Sequence, residues 1–134
     1  MQFAKTYRYS YQNQVIEFAV DPYDSMVMVV NESFAAAVGY AWTEPIRRLS
    51  LQNHNIKLKI RNCKRMRVLT HLDLFSIHNR TRQKRIKDLC VWCLSMLDVV
   101  AREHRNVTTI TQQARRINSL ITQLRSKNEQ RHHA

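Results

Sequence analysis

The sequence is poor in glycine and proline, and this scarcity excludes several classes of protein. One glycine and two prolines, with a hydrophobic content of 44%, argue against a disordered or low-complexity chain, because this chain buries enough apolar surface to offset the entropy lost on ordering. The lone glycine also excludes a glycine-rich phosphate-binding loop. A chain of 134 residues is therefore expected to form one folded domain.

Cysteine and long apolar runs are also scarce. Cys63, Cys90 and Cys93 are too few, and odd in number, for a disulfide framework, which favours free thiols in a reducing compartment. No run approaches the roughly 18 consecutive apolar residues of a transmembrane helix. The opening MQFAKTYRYSYQ lacks the apolar core of a signal peptide. The sequence predicts an intracellular protein with no membrane partner.

Acidic residues are few, and the excess of positive charge is concentrated in one quarter of the chain. Ten Asp and Glu oppose 22 Lys and Arg, which gives a net charge of +12. Residues 1–40 are mildly acidic, whereas residues 57–87 hold eleven cations and a single acid, Asp73. The eleven cations are Lys57, Lys59, Arg61, Lys64, Arg65, Arg67, Arg80, Arg82, Lys84, Arg85 and Lys87.

Such a concentration of cations destabilises a compact domain by self-repulsion unless an anion relieves it. Six of the eleven are arginines, whose planar guanidinium binds phosphate through two hydrogen bonds. The residues therefore predict a nucleic-acid-binding surface. The alternative is an ordinary solvated face.

Alternating apolar and polar residues predict a small antiparallel sheet. Residues 3–20 read as a hairpin with three tyrosines on one face, and residues 25–30 as a central strand that is apolar on both faces. In NIKLKIRNCKRMRVL, residues 55–69, apolar residues alternate with Lys57, Lys59 and Arg61. With a turn at residues 62–64, this segment predicts a hairpin with one buried face and one cationic face.

Helix signals separate and follow these strands. Asn31 and Gly39 are the expected cap and end of a first short helix, Thr43 starts a second, and Thr70 opens a third through a capping box with Asp73. A long helix is predicted from Thr81 to about His104, with Trp92, Met96 and Val99 on its flank. Its core face consists of Ile86, Leu89, Cys90, Cys93, Leu94, Leu97 and Val100. The predicted fold class is α+β, with a small antiparallel sheet packed with several helices and a C-terminal heptad-patterned helix.

The last part of the chain carries an a/d heptad pattern. Its apolar residues are Val107, Ile110, Ala114, Ile117, Ile121 and Leu124. The pattern is shorter than the three to four heptads typical of a coiled coil, so dimerisation and packing on the same domain both stay open. We expect residues 1–105 to form a nucleic-acid-binding domain, residues 106–126 a heptad helix that is a candidate for oligomerisation, and residues 127–134 a frayed tail.

No arrangement of residues predicts an enzyme or a metal site. Cys90 and Cys93 have the spacing of half a zinc site, but no second pair follows, and both lie in the apolar stripe of the predicted helix. The histidines are scattered, and no nucleophile and base are paired by spacing. We expect no catalytic residues, cofactor, metal or small-molecule substrate, and a nuclease would need a metal cluster that the sequence lacks.

Three sequence blocks, in order, resemble the Bro-N domain, the N-terminal module of baculovirus repeated-ORF proteins and of related phage antirepressor and large DNA virus proteins. Val38-Gly39-Tyr40 matches the helix ending LGY, followed by a short helix near Pro45. Residues 69–77 look like the family's ISEPGLYSLI, and residues 92–102 like its last helix, with a tryptophan and the ending VLPSIR. The chain departs from the family at Asp73, in place of glycine, and at Asp98, in place of proline.

The resemblance covers residues 9–103 and implies a DNA-binding α+β module of viral origin. It implies a role in gene regulation or on host chromatin, in the nucleus and cytoplasm of an infected cell. Together with the charge pattern, it predicts a non-enzymatic DNA-binding protein, with RNA and single-stranded DNA left open as ligands. The alternative is a protein–protein interaction module, in which the heptad helix binds itself or a host protein and the basic region docks on an acidic partner.

Overall fold

The computed structural model describes residues 3–50, 56–60 and 64–133, without the side chains of residues 129–133. The chain divides into two compact units, Met1–Ala101 and Arg102–Ala134. Over the described ranges, the strands are β1 (Lys5–Tyr11), β2 (Gln14–Val20), β3 (Val27–Val30), β4 (Lys57–Lys59) and β5 (Arg65–Leu69). The helices are α1 (Asn31–Ala37), α2 (Glu44–Leu49), α3 (His71–Arg80) and α4 (Lys84–His133). The predicted α+β class is confirmed.

The five strands form one antiparallel sheet in the order β1-β2-β3-β5-β4. Gln12 and Asn13 connect the first two strands with φ of 47° and 64°, the left-handed values of a two-residue hairpin turn whose twist matches the strands. The N–H of Ala4, just before β1, donates to the carbonyl of Lys59 in β4 at 2.9 Å. The sheet is therefore curled, since its first and last strands approach each other.

Both faces of the sheet are buried at its centre. Every residue of β3 is buried, as its apolar sequence predicted. One face packs with the helices, where Phe18 and Phe34 are fully buried and the three predicted tyrosines of β1 pack at the margin. The other face holds a smaller cluster that includes Met28, Ile60 and Val68. This two-sided burial explains why β3 lacks the alternation of a half-exposed strand.

The start of helix α1 differs from the sequence prediction, whereas its end agrees with it. Asn31 was predicted to cap the helix, but it is a buried first helical residue, and Val30 occupies the N-cap position without a side-chain cap. Ser33 instead donates to the carbonyl of Val30 at 2.8 Å. At the other end the prediction is confirmed: Gly39 has φ of 89°, and the N–H of Tyr40 donates to the carbonyl of Ala35 at 2.9 Å, as in a Schellman motif.

The capping box that opens α3 is confirmed. The N–H of Asp73 donates to Oγ1 of Thr70 at 3.2 Å, and the N–H of Thr70 donates to Oδ2 of Asp73 at 2.9 Å. Ser50, which follows α2, also donates its hydroxyl to Oδ1 of Asp73. Asp73 is only 2% exposed. Its carboxylate is therefore committed to joining α2 with α3, inside the fold.

The first part of α4 packs in the core as predicted. Ile86, Leu89 and Val100 are fully buried or nearly so, and the remaining predicted residues are buried or half-buried in the same cluster. Val99 is the exception, because it is 44% exposed.

The length of α4 differs from the prediction. The sequence predicted a helix end near His104, but α4 is continuous from Lys84 to His133 and includes residues that were expected to fray. Residues 84–133 contain no glycine or proline, the two residue types that most often interrupt the backbone hydrogen bonds of a helix. Residues 84–101 belong to the first compact unit and the rest of α4 to the second.

The unfolding free energy is expected to fall as the pH rises above about 9. Burial raises the pKa of Cys90 from 9.0 to about 12 and also raises the pKa of Cys93. Thiols in the unfolded chain release their protons near pH 9, while the folded thiols keep theirs. Each further rise in pH therefore lowers the free energy of the unfolded state relative to that of the folded state. Each thiol contributes up to about 1.4 kcal/mol per pH unit in this range. Urea denaturation between pH 8 and pH 10 measures the effect.

The double variant Cys90→Ala, Cys93→Ala is the control for this pH dependence. It lacks both buried thiols but keeps every other ionisable group of the chain. Its unfolding free energy should therefore fall less steeply with pH than that of the parent. Equal slopes in the two proteins would contradict the assignment to these cysteines.

Candidate nucleic-acid interface

Five of the predicted cations lie on the β4–β5 hairpin and are called the hairpin cluster. They are Lys57, Lys59, Lys64, Arg65 and Arg67. Arg61, the sixth cation predicted here, lies outside the described residues, as does most of the predicted turn. The hairpin is closed by the N–H of Ile60, which donates to the carbonyl of Lys64 at 3.0 Å.

The strand register places like charges directly opposite one another. Lys57 pairs with Arg67, and Lys59 pairs with Arg65, so four cations share one face of the hairpin. The alternate positions, including Leu58 and Met66, pack against the smaller apolar cluster. Directly opposed like charges destabilise a strand pair. The hairpin therefore folds because its apolar face is buried, and in spite of its cationic face.

The hairpin cluster borders a shallow depression of about 200 Å³. Four of its cations line the depression, together with Met66, Glu32 of α1 and Thr43, which precedes α2. Leu69 shares the cationic face of β5 and is buried against the helices. The depression thus lies on the helix-covered side of the sheet, where the hairpin extends past the helices.

The remaining predicted cations surround the start of α4 and are called the helix-start cluster. They are Arg80, Arg82, Lys84, Arg85 and Lys87, all exposed except the half-buried Lys87. Thr81 was predicted to cap α4, but it is the C-cap of α3. Its hydroxyl accepts a hydrogen bond from the N–H of Gln83 at 3.2 Å, and α4 begins at Lys84. The first turn of α4 contains no acidic residue. Cations are unfavourable at the positive end of a helix dipole, so this end of α4 is suited to an external anion.

Neither cluster is neutralised within the described part of the chain. The three ion pairs found there join Arg8 to Glu17, and Arg47 and Arg48 to Glu44. No described cation of the hairpin or helix-start cluster lies within 4.0 Å of a carboxylate in this part of the chain. Asp73, the one acid among residues 57–87, is buried in its capping box. Arg80 donates to the carbonyl of Arg48, Arg85 donates to Oε1 of Gln83, and Nζ of Lys59 lies 5.5 Å from the centre of the Phe3 ring. These contacts are to neutral groups, so among the described residues no carboxylate balances the charge of either cluster.

One loop, residues 39–43, contacts both clusters. On the helix side, Nε2 of Gln83 donates to the hydroxyl of Tyr40 at 3.2 Å. Nη1 of Arg85 lies 3.7 Å from the position that a Cβ on Gly39 would occupy. On the hairpin side, Thr43 lines the depression. Trp42 lies between Tyr40 and Thr43 in the sequence of this loop, and its side chain is 73% exposed.

The sequence prediction did not include Trp42, Thr43 or Glu32. Thr43 and Glu32 reach the depression because α1 and α2 fold against the sheet, and sequence spacing does not reveal that approach. Trp42 had one visible signal, an aromatic residue between a helix-ending glycine and a helix-starting Thr-Glu-Pro. An aromatic residue at such a position lies on neither an amphipathic helix nor an alternating strand, so nothing in the pattern buries it.

The predicted heptad residues lie in the second unit, and their side chains are exposed in the single chain. The exposed fractions of the five largest range from 36% for Val107 to 64% for Ile110. Ala114 is exposed as well. The six predicted residues are called the heptad stripe: Val107, Ile110, Ala114, Ile117, Ile121 and Leu124. Leu120, beside the stripe, is 53% exposed.

The described residues contain little that suggests other chemistry. They include no group of three or more His, Cys, Asp or Glu arranged to hold a metal ion. Cys90 and Cys93 are free and buried, with pKa values raised by burial, which keeps them as neutral thiols. Among the described residues, no helix is long and apolar enough to cross a membrane.

Comparisons with known proteins give no match. No protein-family model matches the chain, and no match is found among curated proteins or among solved structures. The resemblance to the Bro-N domain therefore rests on the quoted sequence blocks and stays a prediction.

Replacing Lys57 by Glu is expected to stabilise the fold. The change converts the like-charge pair with Arg67 into an opposite-charge pair, which is worth about 0.2–1 kcal/mol in a strand pair. Lys57→Gln, which removes the repulsion without adding an attraction, should fall between the parent and Lys57→Glu. Urea denaturation at low salt measures these differences, and salt should diminish them.

Lys5→Glu is the matched control for the hairpin variants. Lys5 is also an exposed strand lysine, but its cross-strand partner is Val20, so the change alters the net charge equally without touching a charge pair. It should stabilise the protein less than Lys57→Glu. Equal effects of the two variants would show that only net charge matters.

Proposed function

We propose that this chain is a non-enzymatic nucleic-acid-binding protein that contacts backbone phosphates with the hairpin and helix-start clusters. The observation that carries the proposal is the opposition of like charges on the hairpin, Lys57 with Arg67 and Lys59 with Arg65, without a carboxylate within 4.0 Å among the described residues. A polyanion relieves this repulsion on binding. The same side chains therefore weaken the free fold and strengthen the complex.

The chemistry of the two clusters favours phosphate as the group bound. Arg65 and Arg67 present planar guanidinium groups beside the depression, which suit bidentate contacts to phosphate oxygens. The helix-start cluster places its side-chain cations at the positive end of the α4 dipole, where an anion is favoured. Such contacts position a nucleic acid without reading its sequence. The resemblance to the Bro-N domain supports DNA as the ligand and the regulation of viral or host genes as the setting.

Removing three cations from the hairpin is expected to reduce both affinity and its salt dependence. In the variant Lys57→Gln, Arg65→Gln, Arg67→Gln, the slope of log affinity against log salt on duplex DNA should become shallower by up to about 2.7. This follows from a contribution of about 0.9 for each phosphate contact released. Fluorescence anisotropy with a labelled random-sequence duplex and with single strands, at several salt concentrations, measures affinity and slope.

The matched control removes the same charge from the second unit. Arg105→Gln, Arg115→Gln, Arg116→Gln changes three exposed arginines that belong to neither cluster. It should retain most of the parent's salt slope. An equal loss in both triple variants would mean that overall charge, and not the hairpin, attracts the nucleic acid. A parent that binds no nucleic acid at low salt would overturn the proposal.

The heptad stripe supports a second function, self-association through the second unit. Its a and d side chains are exposed along one line of α4, and pairing with the same stripe of a second copy would bury them. The flanking e and g positions Thr111, Gln113, Asn118 and Leu120 are uncharged. Two copies therefore meet along most of the stripe without opposing like charges.

Charge in the middle of the stripe is expected to abolish this pairing. The double variant Ile117→Asp, Ile121→Asp places carboxylates at a d and an a position, where pairing would bury them without partners. The parent should sediment as a dimer and this variant as a monomer. Ser119→Asp, Ser126→Asp is the control, because both serines occupy outward f positions, and it should stay dimeric. A monomeric parent, or a dimeric Ile117 and Ile121 variant, would exclude pairing through the stripe.

A further inference from the structure

We infer that Trp42 is a base-stacking residue, and that the ligand of this surface is a nucleic acid with unpaired bases. The inference rests on the proposed nucleic-acid binding and adds to it the strand form of the ligand and a contact to its bases. Trp42 is 73% exposed and lies in the loop that joins the two cationic clusters.

Exposure alone does not distinguish Trp42, since scattered exposed apolar side chains are normal on soluble proteins. Its surroundings do. Within the loop, Tyr40 contacts Gln83 at the start of α4, and Thr43 lines the depression beside Lys57, Arg65 and Arg67. The loop that carries Trp42 therefore lies beside cations of both clusters, next to a phosphate backbone that they would bind.

Tyr23 shows the contrast. It is the other aromatic residue with very high exposure among those described, at 79%. It lies in the turn formed by Asp21 and Asp24, whose carboxylates accept the N–H groups of Tyr23 and Met26. Residues 21–26 hold these two acids and no lysine or arginine, whereas the depression beside the Trp42 loop has four cations and one acid, Glu32. Uncompensated carboxylates repel a phosphate backbone, so this second exposed ring is not placed for nucleic acid.

An exposed indole between phosphate-binding cations matches the way proteins bind single strands. Cations follow the backbone, while an aromatic ring stacks on a base, and the stack tolerates any base because every base has a π-face. A paired base inside a duplex offers no free face to such a ring. Trp42 therefore favours single-stranded DNA or RNA over a duplex.

The test compares Trp42→Ala with Tyr23→Ala on labelled oligo(dT), oligo(U) and a duplex, by fluorescence anisotropy. Trp42→Ala should weaken binding to the single strands roughly 5- to 150-fold, as the loss of one stack does, and leave duplex affinity nearly unchanged. The salt slope on single strands should also be unchanged, because no phosphate contact is lost. Trp42→Phe should recover much of the affinity, and Tyr23→Ala should bind as the parent does. The dT and U arms show which sugar the surface prefers.

A spectroscopic signal tests the same contact directly. Trp92 is half-buried against Tyr11, with ring centroids 4.9 Å apart, so Trp92→Phe keeps an aromatic ring in the core and leaves Trp42 as the one indole. Oligo(dT) should quench its fluorescence. Binding without quenching, or an equal loss on single strand and duplex in Trp42→Ala, would overturn the inference but leave the proposed function standing. A parent that binds none of the three probes would overturn both.

Discussion

The burial of the sheet on both faces at β3 determines where charge can lie in this fold. With helices on one side and the cluster around Met28 on the other, the centre of the sheet has no room for a solvated side chain. Only Val68 and Leu69 of β5 pair with β3, whereas Arg65 and Arg67 pair with β4 alone. The cationic face therefore begins where two-sided burial ends, and the apolar alternate residues hold the hairpin to the sheet.

This arrangement separates the source of stability from the source of the proposed binding. The apolar residues Leu58, Ile60 and Met66 stabilise the hairpin from one face, while the opposed cations on the other face destabilise it. Asp73, the one acid among residues 57–87, is held between α2 and α3 by Thr70 and Ser50. Unrelieved repulsion at a surface is a common cost of function, because an optimally stable hairpin would pair each cation with a carboxylate and leave nothing for a ligand.

Local signals in the sequence predicted most of the fold, and contacts between distant segments account for what they missed. The tyrosine hairpin, the end of α1 at Gly39, the capping box and the core face of α4 each follow from residues within a few positions of one another. Asn31 was predicted wrongly, because it is buried as the first residue of α1 while Val30 takes the N-cap position, so its place in the fold overrode its capping preference. The cations of both clusters were visible as a charge run. The depression and the loop that joins the clusters were not, since they depend on how α1, α2 and the hairpin pack.

Helix α4 shows why periodicity predicts a face but not its partner. Ile86, Leu89 and Val100 recur at helical spacing and are buried in the core, while Ile110, Ile117 and Leu124 recur at the same kind of spacing and are exposed. Period alone cannot separate the two sets, because both make an apolar stripe. The residues beside the two stripes differ. Tryptophan, methionine and cysteine adjoin the buried stripe and make its apolar face broad, whereas Thr, Asn and Gln adjoin the exposed stripe and leave its apolar face narrow. A narrow seam is the form that two paired helices bury between them, which is why the proposed self-association is assigned to the second half of α4 and not to the first.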